Sequence, residues 1–321
     1  MIIEGVQGYQ VTDPWAECVR VVMAQRGETH SAAYVQGVSG MAFRLAGPCP
    51  CAPTCSAPMD VPGLAALFGY EAEGHYLGGE QEDVDARLPE LVARVKDEVR
   101  TGRAVIVWHA FTTAEWDVVC GYEDAQGLFY GRGSYGDMRG EEYASAQQER
   151  MGSCLDVCPA LGVVLVGEKS GSLEARAAEV AALKEAVRHG REPGHRLEAS
   201  TPQQRANSRY RKGPDPYESW AADPPSGWNY CLDVTRSRRR MAPEFLREIA
   251  PKYPAARDQL LAAAESFAAE VDVLDEVMET VCREDMDEAA RKDRAAQLFI
   301  AARRAYLAGM DRIEAALAAI E

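Results

Sequence analysis

Two long runs of regularly spaced apolar residues occupy the last quarter of the chain. Successive members are four or three positions apart, which places each run on one face of an α-helix. The first run is Leu260, Ala264, Phe267, Val271, Leu274, Met278 and Val281, and the second is Phe299, Ala302, Tyr306, Met310, Ile313, Leu317 and Ile320. The spacing predicts two antiparallel helices over about 255–283 and 288–320, with Cys282 buried between them.

Such a hairpin cannot bury its apolar stripes alone. We therefore expect it to pack on the preceding part of the chain or on a second copy, so a homo-oligomer could form through the hairpin. The predicted domains are an α+β domain over 1–190, a linker or loop rich in Arg and Pro over 191–242, and the helical hairpin over 243–321. The alternative for the linker is a loop that folds over an active site.

The first 190 residues contain strand and helix patterns without βαβ alternation, which indicates an α+β fold. Asp13-Pro14 is typical of a helix start and Gly27 of a helix end. Further helices are predicted at 64–68, from Leu88 to Val99 and at 173–187, whereas most of 37–62 is predicted to be loop. Strands are predicted at 70–77, 104–110, 116–122, 128–131 and 161–166.

Charge and composition exclude several classes of function. The 50 acidic and 35 basic residues give a net charge of −15, which disfavours nucleic acid as a partner. We find neither an apolar stretch long enough to span a membrane nor a secretory signal, so a cytoplasmic location is expected. Nine cysteines are present, and in that compartment we expect mostly reduced thiols.

Cys18 is the first candidate for chemistry because it lies in the opening turns of the first predicted helix. The positive end of a helix lowers the pKa of a nearby thiol and favours the nucleophilic thiolate. The competing interpretation is that Cys18 is a small buried core residue, which is common for cysteine.

Three motifs follow Cys18 in order. They are Gly37-Val38-Ser39-Gly40-Met41-Ala42-Phe43, then Cys49-Pro50, then Glu115-Trp116-Asp117-Val118-Val119-Cys120-Gly121-Tyr122-Glu123-Asp124. With these motifs, residues 10–170 resemble the C39-like cysteine peptidase fold, and within it the butirosin biosynthesis protein H-like N-terminal family. The resemblance implies a papain-like fold with the nucleophile on the first helix and a base on a central strand.

By this resemblance Cys18 matches the nucleophile, but other catalytic positions depart from the family. Glu115 stands in place of the histidine and Thr12 near the oxyanion-hole glutamine, while the orienting aspartate falls near Gly131-Arg132. Glu115 could act as a base if burial raised its pKa, and His109, expected on the preceding strand, is the alternative base. His109 could equally be a structural residue, facing solvent or held by a hydrogen bond.

The leading functional hypothesis is cysteine-dependent acyl transfer or hydrolysis of an amide or thioester, acting on a small molecule or peptide. The named family member is an acyltransferase that moves an acyl group from a carrier protein to an aminoglycoside amine. The resemblance therefore implies an amine-containing substrate and an acyl carrier protein as partners. The alternatives are a catalytically silent ligand-binding protein and a thiol-rich metal or redox binder.

Two cysteine clusters and one arginine cluster can be explained without a functional role. Cys49, Cys51 and Cys55, and separately Cys154 and Cys158, could bind metal or form a disulfide, but neither cluster supplies the four ligands of a closed zinc site. No metal or cofactor is therefore predicted. The basic residues Arg236, Arg238, Arg239 and Arg240 could bind a carboxylate or phosphate, although pairing with nearby acidic residues on a solvated surface is favoured.

Overall fold

The computed structural model describes residues 1–9, 13–45, 57–77, 81–134, 142–152, 162–191 and 216–321. The chain forms two compact units. Unit 1 contains the described parts of Met1–Ala32 and Met59–Leu173, and unit 2 contains those of Ala33–Pro58, Glu174–Glu198 and Arg209–Glu321. The units are interleaved along the chain, so their limits differ from the predicted boundaries near 190 and 242.

Unit 1 is built on a six-stranded sheet in which all neighbouring strands are antiparallel. The strands are β1 (Tyr70–Tyr76), β2 (Val105–Trp108), β3 (Trp116–Glu123), β4 (Leu128–Arg132), β5 (Ala144–Gln147) and β6 (Gly162–Lys169). Their order across the sheet is β1-β6-β2-β3-β4-β5. β5 was not predicted, because its sequence Ala-Ser-Ala-Gln has no β-branched or aromatic residue.

Helices α1 (Pro14–Gln25), α3 (Val61–Leu67) and α4 (Gln81–Arg100) pack against this sheet. The apolar side of α4 forms one buried cluster with the alternate residues Val105, Val107 and Val119 of β2 and β3. α1 also contacts β2 and β3. The α+β class predicted for the first half of the chain is confirmed by this mixture of helices and antiparallel sheet.

Unit 2 contains the predicted helical hairpin, formed by α9 (Arg257–Val281) and α10 (Glu288–Ile320). The predicted stripes are buried along both helices, apart from the partly exposed Ile320. Gly309 of α10 lies against the Phe267 ring of α9, and a Cβ at this glycine would come within 2.6 Å of that ring. Cys282, which we expected to be buried, is exposed because it follows the last turn of α9.

Five other helices belong mainly to unit 2. They are α2 (Ala32–Val38), α5 (Ala175–Arg191), α6 (Pro216–Ala222), α7 (Tyr230–Arg239) and α8 (Met241–Ile249). α5 and α6 pack on α10, while α7 and α8 pack on α9, so the apolar stripes of the hairpin are covered within the unit. The described part of the predicted linker is thus largely helical, since apolar residues such as Tyr217 and Trp220 anchor it.

The arginine cluster of α7 is divided between surface and core. Arg236 and Arg240 pair with Asp275, as expected for a solvated face. Arg239 is fully buried and forms an ion pair with Glu270 at 2.7 Å, above the rings of Phe267 and Tyr306. A solvated face was therefore the wrong prediction for Arg239, whose guanidinium group stabilises the interior of unit 2.

Candidate functional site

Cys18 lies on α1, in the second helical turn after the helix starts at Pro14. The thiol is fully buried, and its Sγ donates a hydrogen bond to the carbonyl oxygen of Trp15 at 3.2 Å. The helix packs on β2 and β3. The position is therefore the expected one, but the thiol is enclosed in the core.

The environment of Cys18 opposes ionisation of the thiol. Burial raises the pKa of Cys18 well above its ordinary value, and the carboxylates of Asp13, Glu17 and Asp117 raise it further. A backbone hydrogen bond from Val19 acts in the opposite direction and is outweighed. The shift is opposite to the one expected from the helix N-terminus, because loss of hydration outweighs the helix dipole at this depth.

Three buried carboxylates, those of Asp13, Glu17 and Asp117, act on this thiol, and a fourth, Glu115, acts on the phenol of Tyr9. Asp13 and Asp117 have no exposed surface, and Glu115 and Glu17 are 3% and 4% exposed. The phenol of Tyr9 donates to the carbonyl oxygen of Trp116 at 2.8 Å. Burial raises the pKa of that phenol, and the charges of three of the carboxylates and of the Cys18 thiolate raise it further. We call Asp13, Glu17, Glu115 and Asp117 the carboxylate cluster.

Asp117 is one of the members of the carboxylate cluster that the sequence analysis did not identify as a site residue. Its Oδ2 accepts the backbone N–H groups of Phe111 at 2.7 Å and Thr112 at 2.8 Å. Burial raises its pKa from 3.8 to about 7, although these hydrogen bonds lower it. Oδ1 is buried and has no hydrogen-bond partner within the part of the chain that the structure describes. The signal in the sequence was a single aspartate within the otherwise apolar run Trp116–Cys120.

His109 is the first residue after β2 rather than a strand residue, so the strand prediction ended too late. Its backbone is left-handed, with φ of 58°, and its N–H donates to the Glu115 carbonyl oxygen at 2.8 Å. Burial and the charge of Arg150 lower the pKa of the imidazole. Cys18 does not contribute to that shift. The structure therefore brings His109 and Glu115 together across one loop without pairing His109 with the thiol.

Buried hydrogen-bond donors accompany the carboxylate cluster. The indole N–H groups of Trp15, Trp108 and Trp116 are buried and have no hydrogen-bond partner among the described residues. Trp15 also provides the carbonyl that accepts from Cys18, and the rings of Trp108 and Trp116 meet edge to face at 5.4 Å. A polar group buried without a partner costs free energy, so this region carries both donors and acceptors whose hydrogen bonding is incomplete.

Unit 1 also has a surface groove of about 260 Å³ between β1, β6 and α4. Its charged side chains already pair with one another. Arg94 contacts Glu73 at 3.1 Å and Arg103 contacts Glu98 at 2.5 Å. Because these charges are satisfied and partly exposed, the groove is a weaker candidate than the region around Cys18.

Several predicted residues lie outside the described residues, namely Thr12, Cys49, Cys51, Cys55, Cys154 and Cys158. Within the described ranges, no group of three or more His, Cys, Asp or Glu side chains could hold a metal ion. The helices of this same part of the chain include none that is long and apolar enough to cross a membrane. No family model matches the chain, and no curated protein matches its sequence significantly.

Proposed function

We propose that this chain is a papain-like ligand-binding protein in which the carboxylate cluster binds an amine cation and Cys18 is a structural thiol. The observation that carries the proposal is the carboxyl group of Asp117, which has no exposed surface and whose Oδ1 has no hydrogen-bond partner within the described residues. Glu17, by contrast, already pairs with Arg20 at 2.8 Å. Buried carboxylates are unfavourable unless hydrogen bonds or positive charges compensate them. An ammonium group, with its charge and three donors, supplies both kinds of compensation.

The same electrostatics argue against nucleophilic catalysis by Cys18. A thiolate at this position would lie among carboxylates, and the raised pKa keeps the sulfur protonated at neutral pH. The charge that lowers the pKa of His109 comes from Arg150, and the thiol does not contribute to that shift. The resemblance to a family that acts on amines supports an amine-containing ligand, while the departures at Glu115 and Thr12 support loss of the acyl-transfer step.

The proposal is tested by calorimetric titration of the intact protein with primary amines of increasing size, using the matching alcohols as uncharged controls. We expect the amines to bind and the alcohols not to bind. Asp117→Asn and Glu115→Gln should each weaken binding by about tenfold or more, because a hydrogen bond to a charged group contributes about 1.5–3 kcal/mol. The matched control is Glu149→Gln, which removes the same charge from an exposed position of unit 1.

The same titration also measures the protons that are released when the amine binds. A bound cation lowers the pKa of a neighbouring carboxylate, and that of Asp117 lies at about 7. Binding near neutral pH should therefore release protons, so the measured heat should change with the ionisation enthalpy of the buffer. Equal binding by wild type, Asp117→Asn and Glu115→Gln would contradict the proposal.

Cysteine-dependent acyl transfer is the second candidate function. It is favoured by one observation, the position of Cys18 on a helix that packs against β2 and β3, which is the arrangement that the family resemblance implies. If it is correct, incubation with a short acyl thioester should add one acyl group to Cys18, detectable by mass spectrometry and absent in Cys18→Ala. A protein that stays unmodified favours the ligand-binding proposal.

A further inference from the structure

The loop between β2 and β3 contains two left-handed residues that are not glycine. His109 and Ala114 both have φ of 58°, a region that L-residues with a Cβ adopt at a cost in free energy. Left-handed alanine is the less common of the two, since alanine has no polar side chain to stabilise this conformation. The contacts of residues 109–115 must therefore hold the loop in place.

Hydrogen bonds fix this loop from two sides. On the β3 side, Asp117 accepts the N–H groups of Phe111 and Thr112. Within the loop, the Nδ1 atom of His109 accepts the N–H of Ala114 at 2.9 Å. The second bond requires an imidazole with no proton on Nδ1, because a protonated ring has two donors and no acceptor. The left-handed residue Ala114 is thus held by an acceptor that a single proton removes.

We infer that the β2–β3 loop is a proton-responsive loop in which protonation of His109 breaks its hydrogen bond from Ala114 and releases the left-handed residue Ala114. The inference does not depend on the proposed function. One consequence does rest on it: the loop ends at Glu115, so its release would move a member of the carboxylate cluster and alter ligand binding.

The charged groups around the loop set the direction of the response. Arg150 faces His109 from the turn after β5 and, together with burial, lowers the pKa of the imidazole below its ordinary value of 6.5. Glu115 is the last residue of the loop, and Asp117, which has a raised pKa, follows it on β3. Across from Asp117 lie Tyr9 and, on α1, Asp13, Glu17 and Cys18. The imidazole is therefore neutral at pH 7, and the loop is expected to open below pH 6.5.

The test is amide hydrogen exchange of the full chain as a function of pH, corrected for intrinsic exchange rates. Below pH 6.5 we expect protection of the Ala114 amide to fall by about tenfold, which corresponds to the loss of one hydrogen bond. The His109 amide donates to the Glu115 carbonyl oxygen and should lose less protection. The amides of Phe111 and Thr112 should stay more protected because Asp117 still accepts from them. Unchanged protection of Ala114 across this pH range would overturn the inference.

Two variants identify the cause. His109→Asn keeps a side-chain oxygen as acceptor, tolerates the left-handed region and cannot take up the proton, so its protection should not depend on pH. Ala114→Gly relieves the backbone strain without removing the N–H at position 114. The protection of that amide should therefore fall less than in wild type, and at a lower pH. If Ala114 protection fell at low pH as much in His109→Asn as in wild type, a group other than His109 would be responsible for the pH dependence. An Ala114→Gly profile identical to that of wild type would show that the left-handed strain does not drive the release.

Discussion

At the scale of single residues, burial decides the chemistry of the site. Cys18 is near a helix N-terminus, yet its thiol pKa is raised because the side chain has lost its hydration and faces carboxylates. Asp117 shows the same effect, since its pKa reaches about 7 despite two hydrogen bonds from backbone N–H groups. Neither shift can be read from local sequence, because both depend on side chains that are distant along the chain.

Asp117 should make the stability of the protein depend on pH. Its pKa is higher in the folded protein than its ordinary value of 3.8, so folding favours the protonated form. The stability that this group contributes is complete below the unfolded pKa and is lost as the pH rises through about 7. Between about pH 5 and pH 8, the free energy of unfolding of wild type should fall by about 2–3 kcal/mol relative to that of Asp117→Asn.

Urea unfolding of the two proteins at both pH values measures this difference. Asparagine is the matched replacement because its oxygen can still accept from Phe111 and Thr112 while its amide cannot ionise. A constant difference in unfolding free energy between the two proteins at both pH values would show that Asp117 does not titrate in this range.

At the scale of elements, the long helices were the most predictable part of the fold. The stripe from Leu260 to Val281 continues over about six turns, so the periodicity is clear without knowledge of the neighbours. Strands rich in β-branched residues, such as β2 and β6, were predicted for the same reason. The first residues of the loop, His109 and Ala110, were assigned to a strand, because Ala110 continues the apolar pattern beyond Trp108, the last residue of β2.

The hairpin stripe predicts a large difference between buried and exposed positions. Leu274 is fully buried in α9, whereas Ile300 of α10 is 45% exposed. Leu274→Asp buries an unpaired charge and should lower the free energy of unfolding by about 3 kcal/mol or more. Ile300→Asp makes the same type of change at the surface and should cost less than about 1 kcal/mol. Thermal unfolding of both variants checks this, and equal midpoints would show that the stripe is not buried.

Gly309 is a second test of the packing of α9 on α10. Replacing glycine by alanine within a helix usually stabilises it by about 0.5–1 kcal/mol. Here the new Cβ would lie 2.6 Å from the Phe267 ring, so the helices would have to move apart. We therefore expect Gly309→Ala to lower the melting temperature, and an increase would contradict the close approach.

At the scale of the whole molecule, each compact unit is assembled from segments that are separated along the chain. Sequence reasoning placed the boundaries near 190 and 242, where composition changes. The structure instead assigns the described parts of 33–58 to the same unit as the C-terminal helices. Within that unit the Phe43 ring packs on Phe267 at 5.6 Å. A short apolar segment that completes a distant core has no periodicity of its own, so this assignment could not be predicted from the sequence.

The net charge of −15 also bears on function at this scale. A negative field attracts cations over long range and does so less at high salt. Amine binding should therefore weaken as salt is added. The control is Glu149→Gln, which changes the overall field but not the carboxylate cluster, and which should shift affinity much less than Asp117→Asn. If Glu149→Gln and Asp117→Asn changed the amine affinity equally, the binding would be due to the overall negative field of the protein and not to the carboxylate cluster.

The central claim, that the surroundings of Cys18 suppress the thiolate, is tested most directly by limiting alkylation with iodoacetamide at neutral pH. Peptide mass spectrometry would compare Cys18 with Cys282, which is exposed, and with Cys120, which is buried. The account predicts that Cys282 reacts first and that Cys18 reacts as slowly as Cys120, because the pKa of both buried thiols is raised. Reaction of Cys18 ahead of Cys282 would contradict the account and favour cysteine-dependent acyl transfer.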